Sequence, residues 1–190
     1  MGHAEIIPLD DVRANQHRRQ LRQRLHDCFD LWLDTLESAL DTTAMTLPDL
    51  TAVIAELRQD LMGSLMETVI EPMSAAEIEQ TRADCPGCGC TLKVRREAIR
   101  SVETLIGPVT LRRPYFYCTT CREGFHPLDA SLEVVAGRYQ LDMQQAMAKL
   151  AAEVPYETAP TLLGDLTGVR VSVERMHTLT QCPSRWTRRP

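Results

Sequence analysis

From Arg18 to Leu40 the apolar residues Leu21, Leu25, Phe29, Trp32, Leu36 and Leu40 recur at steps of three or four, which puts them on one face of a helix. Thr46-Leu47-Pro48-Asp49 starts a second helix, with threonine as N-cap and proline inside the first turn. Leu50, Val53, Leu57, Leu61 and Leu65 give that helix a similar stripe. The connection from Asp41 to Met45 is short, so the pair is predicted to run antiparallel. Ser74-Ala75-Ala76-Glu77 has capping-box spacing and predicts a short third helix. Two helices with one apolar face each need further cover. Either the rest of the chain supplies it or a second copy does, the helical pair then being the arm of a homodimer.

The period then shortens. Arg100 to Ile106 and Val109 to Tyr117 are rich in β-branched and aromatic residues, with Gly107-Pro108 as the turn between them, which predicts a hairpin. Pro114 cannot donate a ladder hydrogen bond, so its strand is expected at an edge or with a bulge. Leu128 to Ala136 reads as a connector. Met143, Met147, Leu150 and Val154 then mark a helix beginning near Gln140 and stopped by Pro155.

A further helix from about Tyr156 to Thr167, weakened by Pro160 and Gly164, ends at Gly168. Ser172 caps a last one from Val173, with Met176 and Leu179 turned inward. Three short helices with a glycine-containing turn before the last fit a helix-turn-helix, and equally a plain packing unit. In the first case Glu174, Arg175, His177 and Thr178 face a major groove, with Arg175 and His177 as candidate DNA contacts. The predicted class is α+β. A helical pair spans 1–80, a small β unit 81–128, a three-helix unit 129–181 and a disordered tail 182–190.

Charge changes this picture locally. The 190-residue chain has 44 % hydrophobic residues and a net charge of -5. Between Thr91 and Arg122, however, seven basic residues face two acidic ones, so this window is +5 and the remainder -10. A local field of that kind attracts phosphate over a Debye length of about 8 Å. Lys93, Arg95, Arg96, Arg100, Arg112 and Arg113 are the candidate DNA contacts of the window. Tyr115, Phe116 and Tyr117 beside them suit either a small core or stacking on bases. Arg13, Arg18, Arg19, Arg22 and Arg24 read as a solvated helix face or as phosphate contacts.

The chemistry resides in two cysteine pairs, Cys85-Pro-Gly-Cys88 and Cys118-Thr-Thr-Cys121. Cysteines two residues apart can turn both sulfurs to one metal, and two such pairs complete a tetrahedral site, so Cys85, Cys88, Cys118 and Cys121 are the expected ligands of a structural Zn2+ in a zinc ribbon. The 29 residues between the pairs must fold back for the halves to meet, as a hairpin does.

Gly87 and Gly89 suit a sharp first turn through positive φ, whereas Arg122 and Glu123 precede the glycine of the second. Cys90 is a rival ligand to Cys88, Cys28 a buried thiol on a helical face, Cys182 a residue of the polar tail and His126 a hydrogen-bonded or exposed histidine. Nothing marks the N-terminus for secretion, which places the chain in the cytosol and argues against disulfides. No apolar run is long enough to span a bilayer, and no P-loop, His-Glu-x-x-His or nucleophile elbow points to an enzyme or a small-molecule substrate.

An ordered set of segments resembles a known family. These are Cys-Pro-Gly-Cys-Gly at 85–89, Leu-Ile-Gly-Pro-Val-Thr-Leu-Arg-Arg-Pro-Tyr-Phe-Tyr-Cys at 105–118, Gly-Phe-His-Pro-Leu-Asp at 124–129 and Leu-Thr-Gly-Val-Arg-Val-Ser at 166–172. Together the run from Cys85 to Gln181 resembles the N-terminal half of bacterial insertion-sequence transposases of the ISKra group.

The resemblance implies recognition of mobile-element ends, that is, binding to double-stranded DNA at terminal inverted repeats during DNA transposition. It also implies a following RNase H-like domain whose carboxylates hold divalent metal. After Gln181 this chain runs Cys-Pro-Ser-Arg-Trp-Thr-Arg-Arg-Pro and stops, so the expectation is a DNA-binding fragment from a truncated or frameshifted frame, without a catalytic core. The other open class is a zinc-ribbon module that binds or regulates another protein.

Overall fold

The computed structural model describes residues 9–40 and 45–180; the tail over 182–190, Cys182 and most of the expected linker between the first two helices lie outside the described residues. Helix α1 (Leu9–Ala39) and helix α2 (Leu47–Met73) form the predicted antiparallel pair. Arg24 forms an ion pair with Glu71, and the Trp32 indole donates to the Leu57 carbonyl at 3.0 Å. The α1 stripe runs through Cys28 rather than Phe29: Leu21, Leu25, Cys28, Trp32 and Leu36 are half-buried while Phe29 is exposed. In α2 no side chain is fully buried before Leu61. Thr46 starts α2 as expected, its N–H donating to the Asp49 carboxylate at 2.9 Å. Helix α3 (Ala75–Ile78) is present, but Ser74 makes no side-chain cap bond to it.

The chain then forms strands β1 (Arg82–Asp84), β2 (Thr91–Lys93), β3 (Arg96–Thr104), β4 (Gly107–Cys118) and β5 (Glu123–Phe125). β1 and β2 make a two-stranded antiparallel sheet, and β3-β4-β5 a three-stranded one. The hairpin turns at Leu105-Ile106, two residues before the expected Gly107-Pro108, because Thr104 already pairs with Gly107. Gly107 answers a different demand. It has φ 149°, and a Cβ there would collide with the Gln59 carbonyl of α2.

β4 pairs with β3 without a bulge from Gly107 to Tyr115, while β5 reaches only Phe116 to Cys118. The stretch before Phe116 is therefore open on one side, and α2 lies along it. The Thr110 N–H donates to Glu67 of α2, and Gly63 faces the Pro108 carbonyl too closely for any Cβ. Alternate residues of β4 aim their backbone groups at this open side, and Pro108 and Pro114 both fall in that set. The missing N–H groups thus leave the ladder to β3 intact. Covering the edge with a helix also removes a site for unwanted strand pairing.

The expected connector contains a further helix, α4 (Pro127–Ser131), because Leu128 is drawn into the core beneath the sheet with Val102, Val109 and Leu111. Met66 and Ile70 of α2 pack against that core. Helices α5 (Leu141–Glu153), α6 (Ala159–Thr167) and α7 (Val173–Thr180) enclose a second core around Met143, Met147, Leu163 and Met176. α6 begins three residues later than the expected start near Tyr156, so Pro160 falls in its first turn, where its lost N–H costs nothing. Gly168 ends that helix at φ 76°. Ser172 caps the next, its hydroxyl accepting from the Arg175 N–H at 3.2 Å. The hairpin tip joins the two cores: Leu105 N–H donates to Asp142 of α5 at 2.8 Å. The class is α+β.

Candidate metal centre and its basic surround

Two short loops carry the four cysteines to one point. The first, Cys85 to Cys90, links β1 to β2; Cys85 N–H donates to the Cys90 carbonyl at 2.9 Å and Gly89 N–H to the Cys85 carbonyl at 2.8 Å. The second links β4 to β5, and the Cys121 N–H donates to the Cys118 sulfur at 3.4 Å. The residue after the second cysteine takes positive φ in both loops: Gly89 at 73° and Arg122 at 58°. Gly87 is not in that region, contrary to expectation. It is small because a Cβ there would lie 3.1 Å from the Cys121 sulfur. Gly124 is likewise kept clear by the Tyr115 ring, not by the turn.

The sulfurs of Cys85, Cys88, Cys118 and Cys121 all lie within 4.8 Å of one another. Cys85 and Cys121 are 3.8 Å apart, and Cys88 and Cys118 3.6 Å. A tetrahedron with metal–sulfur bonds of about 2.3 Å has edges of about 3.8 Å, whereas a disulfide would need about 2.05 Å. These four cysteines could therefore hold a metal ion. The Cys118 thiol is held down to about 6, chiefly by the Cys121 N–H; Cys121 is pushed up to about 12 by the Cys88 and Cys85 thiols. Sulfurs this close cannot all ionise unless a cation stands among them.

Cys90 is exposed and outside the cluster, and Cys28 is a half-buried free thiol on α1. His126 is also no ligand. Its Nδ1 donates to the Pro114 carbonyl at 3.0 Å and its ring lies against Tyr115.

The basic residues of the window divide sharply. Arg100 and Arg113 both turn to Asp129 of α4, and Arg100 also donates to the Val135 carbonyl at 2.7 Å; their side chains are only 19 % and 11 % exposed. Arg112 is exposed but paired with Glu97 at 2.8 Å. Lys93, Arg95 and Arg96 are exposed, and among the described residues none of them is ion-paired. The Arg95 guanidinium lies 5.2 Å from the centre of the Tyr117 ring, and Arg96 the same distance from Tyr115. Phe116 is wholly buried and stacks on Phe125. On α7, Glu174, Arg175, His177 and Thr178 are exposed as expected, with His177 edge-on to Tyr156.

One further cation belongs with the exposed set. Arg82 of β1 is exposed and pairs directly with Lys93 of β2. Its signal in the sequence is the alternation Arg-Ala-Asp before the first cysteine loop, which mirrors Thr-Leu-Lys after it. No helix among the described residues is long and apolar enough to cross a membrane. No protein-family model and no curated protein matches the chain.

Proposed function

We propose that this chain is a DNA-binding module of a transposase, in which a structural zinc ion held by Cys85, Cys88, Cys118 and Cys121 fixes a ribbon that binds the terminal inverted repeats of a mobile element. The observation that carries the reading is a surface of exposed cations without carboxylate partners among the described residues, Lys93, Arg95 and Arg96, beside a four-sulfur cluster. Four soft ligands in tetrahedral spacing suit zinc, which adds no redox chemistry and serves to staple a small fold. The α6–α7 unit supports a helix-turn-helix role, with Arg175 and His177 exposed on its last helix for base contacts. In this reading the chain recognises DNA, and strand transfer is the work of a separate catalytic domain.

The test is binding of the purified, zinc-loaded protein to a labelled duplex carrying the terminal repeats, against a random duplex of equal length. Tighter binding to the repeats, weakening as salt rises, supports the proposal. Equal affinity for both, or no salt dependence, rejects it. A second reading, a protein-interaction or dimerisation module, is favoured by Leu31, Leu47, Leu50 and Ile54, which are exposed on the helical pair. Salt-independent self-association without DNA binding would select it.

A further inference from the structure

The β1–β2 sheet carries an arrangement that weakens the isolated protein. Arg82 and Lys93 are direct cross-strand partners, so their side chains leave the same face of the sheet side by side. Like charges directly opposite one another destabilise a strand pair. The next rung on that face could have relieved this, because it carries Asp84, but Asp84 accepts from the Thr91 hydroxyl at 2.7 Å. Among the described residues, neither Arg82 nor Lys93 is ion-paired. Two residues further on, Arg95 and Arg96 extend the same run of exposed cations.

The neighbouring aromatics bear on what kind of contact this surface makes. A base can stack only on a ring face that is open, and the rings of Tyr117 and Tyr115 each have a guanidinium over them at 5.2 Å. Phe116 is buried against Phe125. On the ring faces that Arg95 and Arg96 cover, the surface thus presents charge in place of an open stacking platform.

Resting on the DNA-binding reading above, we infer that Arg82 and Lys93, with Arg95 and Arg96, form a backbone-phosphate clamp that grips duplex DNA without reading its sequence. Sequence choice then belongs to another part of the chain. Phosphates set against Arg82 and against Lys93, one to each, offset their mutual repulsion, so the clamp is most stable when occupied.

The experiment uses the full zinc-loaded chain and follows anisotropy of a duplex of about 20 base pairs and mixed sequence, a second duplex of unrelated sequence and the single strand of the first, between about 50 and 200 mM salt. Each lost phosphate contact lowers the slope of log affinity against log salt by about 0.9, so Arg82→Gln with Lys93→Gln should make the fall over this range about tenfold smaller. The loss should be equal on both duplexes, and the single strand should bind no tighter than the duplex. Arg82→Glu supplies a variant that keeps the fold, since glutamate can pair with Lys93. It should melt at or above the wild-type temperature and still bind DNA more weakly.

A wild-type slope in the double variant, a loss confined to one duplex, or tighter binding to the single strand overturns the clamp while leaving the DNA-binding reading standing. A wild-type protein that binds no DNA overturns both.

Discussion

Arg113 of β4 and Asp129 of α4 form an ion pair at the junction between the sheet and the helix that follows it, with side chains only 11 % and 22 % exposed. Arg100 joins the same carboxylate from β3, so one acid anchors two strands to α4. Removing it leaves two guanidinium groups in a partly desolvated place without a carboxylate, Arg100 keeping only its bonds to the Val135 and Gly137 carbonyls. Asp129→Asn is expected to cost about 3 kcal/mol of stability, measurable as a lowered urea midpoint with the slope unchanged. A loss below about 0.5 kcal/mol would show that these arginines are solvated like surface residues.

The four-sulfur cluster gives a second expectation. Purified protein should carry about one zinc per chain, and Cys118→Ser should abolish it, because that cysteine is the most deeply buried of the set. Binding displaces thiol protons, so apparent metal affinity should fall as pH is lowered. Competition with a chromogenic chelator measures both. A metal-free protein with unchanged fold would contradict the assignment.

The paired loops predict opposite effects of glycine. Arg122 holds φ 58°, a conformation that costs an L-residue about 1–2 kcal/mol, so Arg122→Gly should gain roughly 0.5 kcal/mol after the added freedom of the unfolded chain is counted. Gly89→Ala, at φ 73°, should lose about 1 kcal/mol. Gly107→Ala should be worse than either, since a methyl group there meets the Gln59 backbone. Thermal melts of the three variants give the order directly.

His126 supplies a pH dependence. Burial, and then the Arg113 guanidinium, hold it below its ordinary value of 6.5, against the opposing effect of its hydrogen bond to Pro114. The unfolded chain then binds the proton more readily than the folded one. The stability that depends on a neutral His126 is present above pH 6.5 and is lost as pH falls through the lower folded-state value. His126→Gln should flatten this part of the stability profile relative to wild type, and identical profiles would refute the assignment.

Much of the architecture was legible because it depends on neighbours in the chain. The helix starts at Thr46 and Ser172 follow from capping side chains, the stops at Pro155 and Gly168 from the backbone chemistry of proline and glycine, and the inward Met143, Met147, Met176 and Leu179 from spacing of three or four residues. The turn did not. Gly107-Pro108 has the composition of a turn, but Gly107 is required where α2 touches β4, a contact with the distant Gln59 whose trace in the sequence is only a glycine.

By itself the sequence determined which four sulfurs come together, the antiparallel helical pair, the hairpin and the three-helix unit, since cysteine spacing and hydrophobic period are local quantities. Only the tertiary structure decided which cations stay exposed without a carboxylate partner. Arg100 and Arg113 are engaged by Asp129, Arg112 by Glu97, and Arg82 enters the exposed set through its pairing with Lys93. Charge counted along a chain cannot distinguish these, because a guanidinium's availability depends on the carboxylates that folding brings within reach.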